Sequence, residues 1–484
     1  MKIYIKNHAF HYELENLTRV FFPNEKIAVI REEEPTEPPF IYTSLDENIT
    51  VKINFGDHID CLQTAAVSDN DENERLMASL LFELLKKYTG ITPPWGILTG
   101  VRPIKLMRRL AQAEGSENAH KYFREKLMVS EAKTALAART EGIERELLSL
   151  SRPDSFSLYI SIPFCPTRCS YCSFVSQSVE KAKHLMQPYT ELLCRELEFT
   201  AELAKSLKLR LETVYMGGGT PTALSAEQIS QVLKTVRTSF DMSTCREFTV
   251  EAGRPDTVTE EKLAALLENG VDRISINPQT LNDSVLKEIG RSHTAKQAED
   301  AFILARQSGF KHINTDLIAG LPTDTFESFK NTLDRICALS PESITLHTLS
   351  MKKSSFLTGQ GLQVFREDAQ RAAAMLRYCE DKLTSLAYRP YYLYRQSRMV
   401  GNLENVGWAK PGFEGLYNVY VMDETHTVLA CGAGAVTKLK QHGGEHIERI
   451  FNYKYPYEYN NGFEEILSRK AAVYGFYEKY PIFS

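Results

Sequence analysis

Three cysteines on one short loop carry the most distinctive chemistry in this chain: Cys165-Pro166-Thr167-Arg168-Cys169-Ser170-Tyr171-Cys172. Three thiolates at this spacing can hold three corners of a cubane 4Fe–4S cluster. No fourth cysteine follows nearby, which leaves one iron open to another ligand. Zinc is the plain rival. It takes four protein ligands in paired Cys or Cys/His sets, and the next histidine, His184, has no partner cysteine. A disulfide framework fits worse, because nine cysteines are an odd number and the other six are scattered: Cys61, Cys194, Cys245, Cys337, Cys379 and Cys431. Most of those six read as ordinary buried thiols.

The elements around the loop follow from the apolar pattern. Residues 158–162 form an apolar run that reads as a buried strand. Pro163 ends it, since proline cannot donate to a ladder. A loop hung on the C-terminal end of a strand is where an α/β barrel places its active site. From Phe156 onward strands and helices alternate, which implies a parallel sheet. Further strands are expected at 213–216, 248–251, 273–276, 313–318 and 343–347, with helices at 189–203, 260–269 and 295–308 among those between them. Six such units are too few to close an eight-fold barrel.

Strand ends carry the remaining polar motifs. Met216-Gly217-Gly218-Gly219-Thr220-Pro221 lets backbone come close to a ligand. It lacks the Gly-Lys-Ser/Thr ending of a phosphate loop. Glu251 closes the third strand, where a carboxylate can accept from a ribose diol or a ligand ammonium. Gly253-Arg254-Pro255 follows and adds a cation.

The loop resembles that of radical S-adenosylmethionine enzymes. The wording Tyr159-Ile160-Ser161-Ile162-Pro163-Phe164-Cys165 resembles the oxygen-independent coproporphyrinogen III oxidase family, in particular a bacterial subgroup with an extra N-terminal region. The resemblance covers about residues 156–438. It implies a partial (β/α)6 TIM-like barrel, an α/β fold, with Cys165, Cys169 and Cys172 as cluster ligands. It also implies S-adenosylmethionine bound by Tyr159, Tyr171, Gly218, Gly219, Thr220, Glu251, Gln279, Arg291 and Asp316. Arg291 would pair with the cofactor carboxylate, as its fork suits. Asn277-Pro278 before Gln279 departs from the family pattern. The implied reaction is oxidative decarboxylation of coproporphyrinogen III to protoporphyrinogen IX by a 5′-deoxyadenosyl radical. Decarboxylating members often carry a further cysteine where this chain has Phe174. The lack of that cysteine resembles relatives that bind haem as chaperones, which is the alternative function. For haem, His293, His347, His426, Met351 and Cys431 are candidate axial ligands, none of them marked out.

The rest of the 484 residues divides as an N-terminal α+β domain at 1–150, the barrel at 151–365 and a C-terminal α+β extension at 366–484. Strands are expected at 2–6, 26–30, 40–42 and 49–53. Leu76, Met77, Leu80, Leu81, Leu84 and Leu85 recur at helical spacing, with Gly90 as the stop. Residues 95–103 read as a glycine-punctuated turn, or else as a place from which Arg102 or Lys105 reaches an anionic substrate. Tyr388 to Arg398 combines aromatics with arginines, which suits either a macrocycle with propionates or ordinary packing. Lys352 and Lys353 read as solvated, or else as binding an acidic group. Asn402 to Gly407 and Gly432 to Ala435 match C-terminal family signatures, and residues 453–459 read as a packed tail or interface. A net charge of −5 without a basic block argues against nucleic acid. No apolar run nears the ~20 residues of a membrane span, and the N-terminus lacks a signal-peptide pattern. A cytoplasmic monomer is expected, with a tetrapyrrole substrate and an electron donor that the sequence does not name.

Overall fold

The computed structural model describes residues 1–23, 25–350, 362–396 and 398–482. Met351, Lys352, Lys353 and Ser397 lie outside them. The described residues form two compact units. One is Met1–Glu141 with Thr348–Ala374 and Leu393–Asn405. The other is Gly142–His347 with Met375–Tyr392 and Val406–Ser484.

In the first unit, strands β1 (Lys2–Lys6), β2 (Ala28–Arg31), β3 (Phe40–Leu45), β4 (Asn48–Asn54) and β5 (Ile59–Ala65) form one sheet in the order β2-β1-β3-β4-β5. β1 runs parallel to β2 and β3, and the rest is antiparallel. The helix Asn70–Thr89 buries Met77, Leu81, Leu84 and Leu85. Asp69 accepts from the first-turn amides, and Gly90 ends the helix at φ 66°, a left-handed position that glycine takes without strain. Two elements escape the sequence reading: β5, whose apolar and polar residues alternate only loosely, and the helix His11–Phe21. Trp95 is fully buried, so the 95–103 turn is structural there. Its indole donates to Glu404 at 2.7 Å, and Lys133 donates to the other oxygen of that carboxylate at 2.6 Å.

The second unit contains β6 (Ser155–Ile162), β7 (Phe164–Cys165), β8 (Gln177–Ser178), β9 (Arg210–Gly218), β10 (Glu247–Glu251), β11 (Arg273–Ser275), β12 (His312–Ala319) and β13 (Ser343–Thr348). It continues with β14 (Arg389–Tyr394), β15 (Asn405–Ala409), β16 (Thr427–Cys431), β17 (Val436–Lys440) and β18 (Ile447–Phe451). The six barrel strands lie in the order β13-β12-β11-β10-β9-β6, parallel from β6 through β12. Helices alternate with them, including Val179–Ser206, Glu260–Glu268 and Ala295–Ser308. The architecture is a mixed α/β partial barrel. Strands such as β6 are buried on both faces because helices cover the sheet.

Two expectations need correction, a helix start and the burial of the scattered cysteines. The first barrel helix begins at Val179, ten residues before the expected start, and runs through Pro188. Its Ser178 cap and the packing of Ala182 and Met186 outweigh the proline. Beyond the six barrel strands the sheet continues. β15 and β14 extend it beyond β13, and β16, parallel to β6, leads to β17 and β18. Of the six scattered cysteines only Cys194, Cys379 and Cys431 are buried, and Cys61 is exposed on β5.

The tail is packed. Tyr459 is buried and donates to Glu196 at 2.6 Å. The same carboxylate accepts from Lys470 at 2.6 Å, from the Gly432 amide at 2.8 Å and from Asn452 at 2.8 Å. The turn so held leans on β6, where Ser161 Oγ donates to the Ala433 carbonyl at 2.8 Å. The tyrosine-rich strand β14 is also packing: Tyr391 is buried and its hydroxyl meets Arg273 at 3.3 Å. Among the described residues no helix is long and apolar enough to cross a membrane.

Candidate functional site

The cysteine loop leaves β6 and is pinned from several directions. The Ser170 amide donates to the Ile289 carbonyl at 3.1 Å, and Thr167 Oγ1 to the Gly290 carbonyl at 3.0 Å. Gly290 has φ 77°, and a Cβ there would meet the Arg168 carbonyl at 3.1 Å. Cys169 is buried, while Cys165 and Cys172 are half-buried. Burial raises the Cys172 thiol above its ordinary range, and the charges of Cys169 and Cys165 act on it in the same sense. Among the described residues no three Cys, His, Asp or Glu side chains converge as they would around one ion. A cubane differs from zinc here, because each thiolate takes a different iron and the sulfurs stay apart.

The glycine tract follows β9 and lies against the loop. The Gly219 and Thr220 amides donate to the Ile162 and Phe164 carbonyls at 2.7 and 2.8 Å. Those amides are therefore not what the tract offers to a ligand, which argues against phosphate binding. Thr220 Oγ1 meets Cys165 Sγ at 3.5 Å. A Cβ on Gly219 would sit 2.7 Å from the Phe164 carbonyl, 2.9 Å from that of Ile162 and 3.0 Å from Cys165 Sγ. Two of these neighbours are backbone and cannot give way. Gly219→Ala is expected to destabilise the unit by about 1–3 kcal/mol and to lower iron uptake, read by urea unfolding and iron analysis.

Polar groups line the successive strand ends. Tyr215 Oη donates to Glu251 Oε1 at 2.6 Å. Tyr159, Tyr215 and Tyr417 stack, with ring centroids 4.4 Å apart for the closest pair. Burial raises the Tyr159 and Tyr215 phenols, so both stay neutral. Asp316 accepts from Asn314 at 2.7 Å and lies 3.5 Å from His347 Nε2. Gln279 is held at φ 71° by bonds from its amide to the Asp316 carbonyl and from the Ile318 amide to its own carbonyl. Its buried side-chain Oε1 has no hydrogen-bond partner. Arg291 donates through Nε and Nη2 to the Tyr171 hydroxyl at 3.1 and 2.9 Å, and through Nη1 to the Asn277 carbonyl at 2.5 Å.

Burial pushes Glu251 up to about 7, and the nearby Asp316 adds to the rise, against the Tyr215 hydrogen bond and His347. A carboxyl raised on folding favours the folded state fully below its unfolded value near 4.5, and that contribution fades as pH rises through about 7. Glu251→Gln removes the dependence. The stability difference between wild type and variant is expected to shift against wild type from pH 5.5 to pH 8, measured by urea unfolding at both.

The structure brings all twelve sequence-predicted site residues into one unit. Tyr215 and Tyr417 were missed. Tyr215 pairs in register with Tyr159 and so faces the same side of the sheet; that parity was the available signal. Tyr417 comes from a separate helix, Leu416–Asp423, with no local cue. Among the axial candidates, His293, His426 and Cys431 are buried, and His426 is held by Ser151 and Ser157. His347 is half-buried beside Asp316.

A family profile described as the Radical SAM superfamily matches residues 159–336. Oxygen-independent coproporphyrinogen-III oxidase-like protein HemZ of Bacillus subtilis is 36% identical, covering 96% of each chain. Heme chaperone HemW of Lactococcus lactis is 32% identical over 67% of this chain and 80% of its own. Among solved structures, coproporphyrinogen III oxidase (HemN) from Escherichia coli, a radical SAM enzyme, matches with a TM-score of 0.52 at 22% identity, covering 66% of this chain and 71% of its own.

Proposed function

This chain belongs to the radical SAM superfamily, within the family of oxygen-independent coproporphyrinogen III oxidase-like proteins, and on that premise we propose that it oxidatively decarboxylates coproporphyrinogen III to protoporphyrinogen IX. The superfamily uses a 4Fe–4S cluster and S-adenosylmethionine. Cys165, Cys169 and Cys172 would hold the cluster. Tyr159, Tyr171, Gly218, Gly219, Thr220, Glu251, Gln279, Arg291 and Asp316 would hold the second cofactor. When bound, the pair supplies a radical able to take hydrogen from a propionate side chain. The protein supplies position and electrostatics. Glu251 and Asp316 offer acceptors to cationic and diol groups. The Nε/Nη2 edge of Arg291, which holds the Tyr171 hydroxyl, would take a carboxylate by exchanging that bond. The stacked tyrosines exclude water beside them.

One observation carries the reading: a loop of three thiols without a fourth abuts, through Cys165, a glycine tract that a single Cβ would fill, on the barrel end where Gln279 Oε1 lacks a partner. The substrate would be a tetrapyrrole, the electron donor external, the compartment cytoplasmic. A second reading, haem delivery, is favoured by Phe174, which is 61% exposed where decarboxylating members often have a cysteine. An anaerobic assay separates them. Reconstituted protein is given dithionite, S-adenosylmethionine and coproporphyrinogen III, and 5′-deoxyadenosine and protoporphyrinogen IX are followed together. Both products are expected. Deoxyadenosine alone would move the radical chemistry to another substrate. Neither product, with haem retained through desalting, would replace the enzyme by a haem carrier.

A further inference from the structure

One cation at the cysteine loop has no part in the reading above. Arg254 follows β10 and is 3% exposed. The Nε and Nη2 edge of its guanidinium is bidentate on Asp256, at 3.0 and 3.1 Å, and Nη2 also donates to Ser292 Oγ at 3.0 Å. Nη1 faces the loop. It donates to Thr167 Oγ1 at 3.1 Å and lies 3.9 Å from Cys169 Sγ. The charge is thus fixed in a buried place, aimed at the middle cysteine.

We propose that Arg254 sets the reduction potential of the cluster on this loop, as a fixed positive charge beside the Cys169 sulfur; the proposal rests on the reading that the loop holds a 4Fe–4S cluster. Reduction adds one electron, and so one negative charge, to the cluster. A nearby cation favours that form. Net charge and hydrogen bonds at the sulfurs are what set such potentials. Salt screens a buried charge little. Asp256 offsets part of the guanidinium charge, so the two residues act in opposite senses.

That opposition gives the test. Reconstituted wild type, Arg254→Gln, Arg254→Lys and Asp256→Asn are titrated with dithionite, without S-adenosylmethionine or tetrapyrrole, and followed by visible absorbance and electron paramagnetic resonance. The expected midpoint shifts are negative for Arg254→Gln, smaller and negative for Arg254→Lys, and positive for Asp256→Asn. A residue that merely clamps the loop would give shifts of one sign in all three, or none, and either result overturns the proposal. If Arg254→Gln holds no cluster, the sign for Asp256→Asn decides: positive supports the proposal and zero or negative overturns it. A wild-type chain that takes up no 4Fe–4S cluster removes the reading of the loop itself, a failure visible in the iron content before any potential is measured.

Discussion

Cys169→Ala is expected to abolish cluster binding and, with it, all cleavage of S-adenosylmethionine. Three thiolates hold three irons of a cubane, and no other described cysteine stands on the loop to replace one. Cys169 is the buried member of the three and the one faced by Arg254. Arg291 also feels its charge. Its loss removes a ligand and leaves two guanidiniums without the thiolate. Iron and sulfide per chain, with 5′-deoxyadenosine formed under dithionite, are the measurements. Both are expected to fall to background. Cys61→Ser is the control, since Cys61 is exposed on a strand of the other unit, and it should match wild type. A Cys169→Ala chain with a wild-type iron content would sink the ligand assignment.

The largest stability effect is expected at Glu196. Its carboxylate is fully buried and takes four hydrogen bonds, one from Lys470, itself 1% exposed. Burial works against the Lys470 charge, and Cys431 and Glu196 more than restore it. Glu196→Leu strands that ammonium among Thr200, Cys431 and backbone. Breaking a buried pair on one side costs about 3–5 kcal/mol. Replacing both partners by apolar residues is often near neutral. Glu196→Leu with Lys470→Met is therefore expected to regain most of the loss in urea unfolding. A double variant as unstable as the single would mean that the bonds to Gly432 and Tyr459 carry the effect. The Gly432 turn rests against Ser161 of the strand that bears the cysteine loop, so the single variant should also take up less iron.

What could be read from the sequence was what local spacing encodes. The cysteine loop, the barrel strands and the helix Ala295–Ser308 follow from apolar period and caps: Thr294 and Gln297 form a capping box, and Gly309 lies at φ 113°. Glu251 and Asp316 stand at the ends of recognisable strands. Contacts between distant segments were not legible. β16 beside β6, Tyr417 on the Tyr215 ring and Lys470 under Glu196 join residues that no local pattern connects. The helix expected at 189–203 begins at Val179 and runs through Pro188, a proline inside a helix that only the packing around it tolerates. Arg254 showed as an added cation, but its direction toward Cys169 depends on Asp256 and Ser292, which the fold alone brings together.

The place of β16 bears on when the protein can be finished. β6, which carries the cysteine loop, gains its second neighbour only from β16, and Ser161 meets Ala433 across 272 residues of chain. At ribosomal speeds of about 5–20 residues per second, that interval lasts roughly 14–54 s. The strand from which the thiol loop leaves has both edges open until β9 is made and one edge open from then until β16, on a nascent chain whose long-range pairings form late. Iron loaded in that window meets an unfinished site; iron loaded after it meets the completed sheet. Slowing elongation between the codons for Cys172 and Thr427 should therefore lower the fraction of chains carrying a cluster in aerobic cells more than in anaerobic ones.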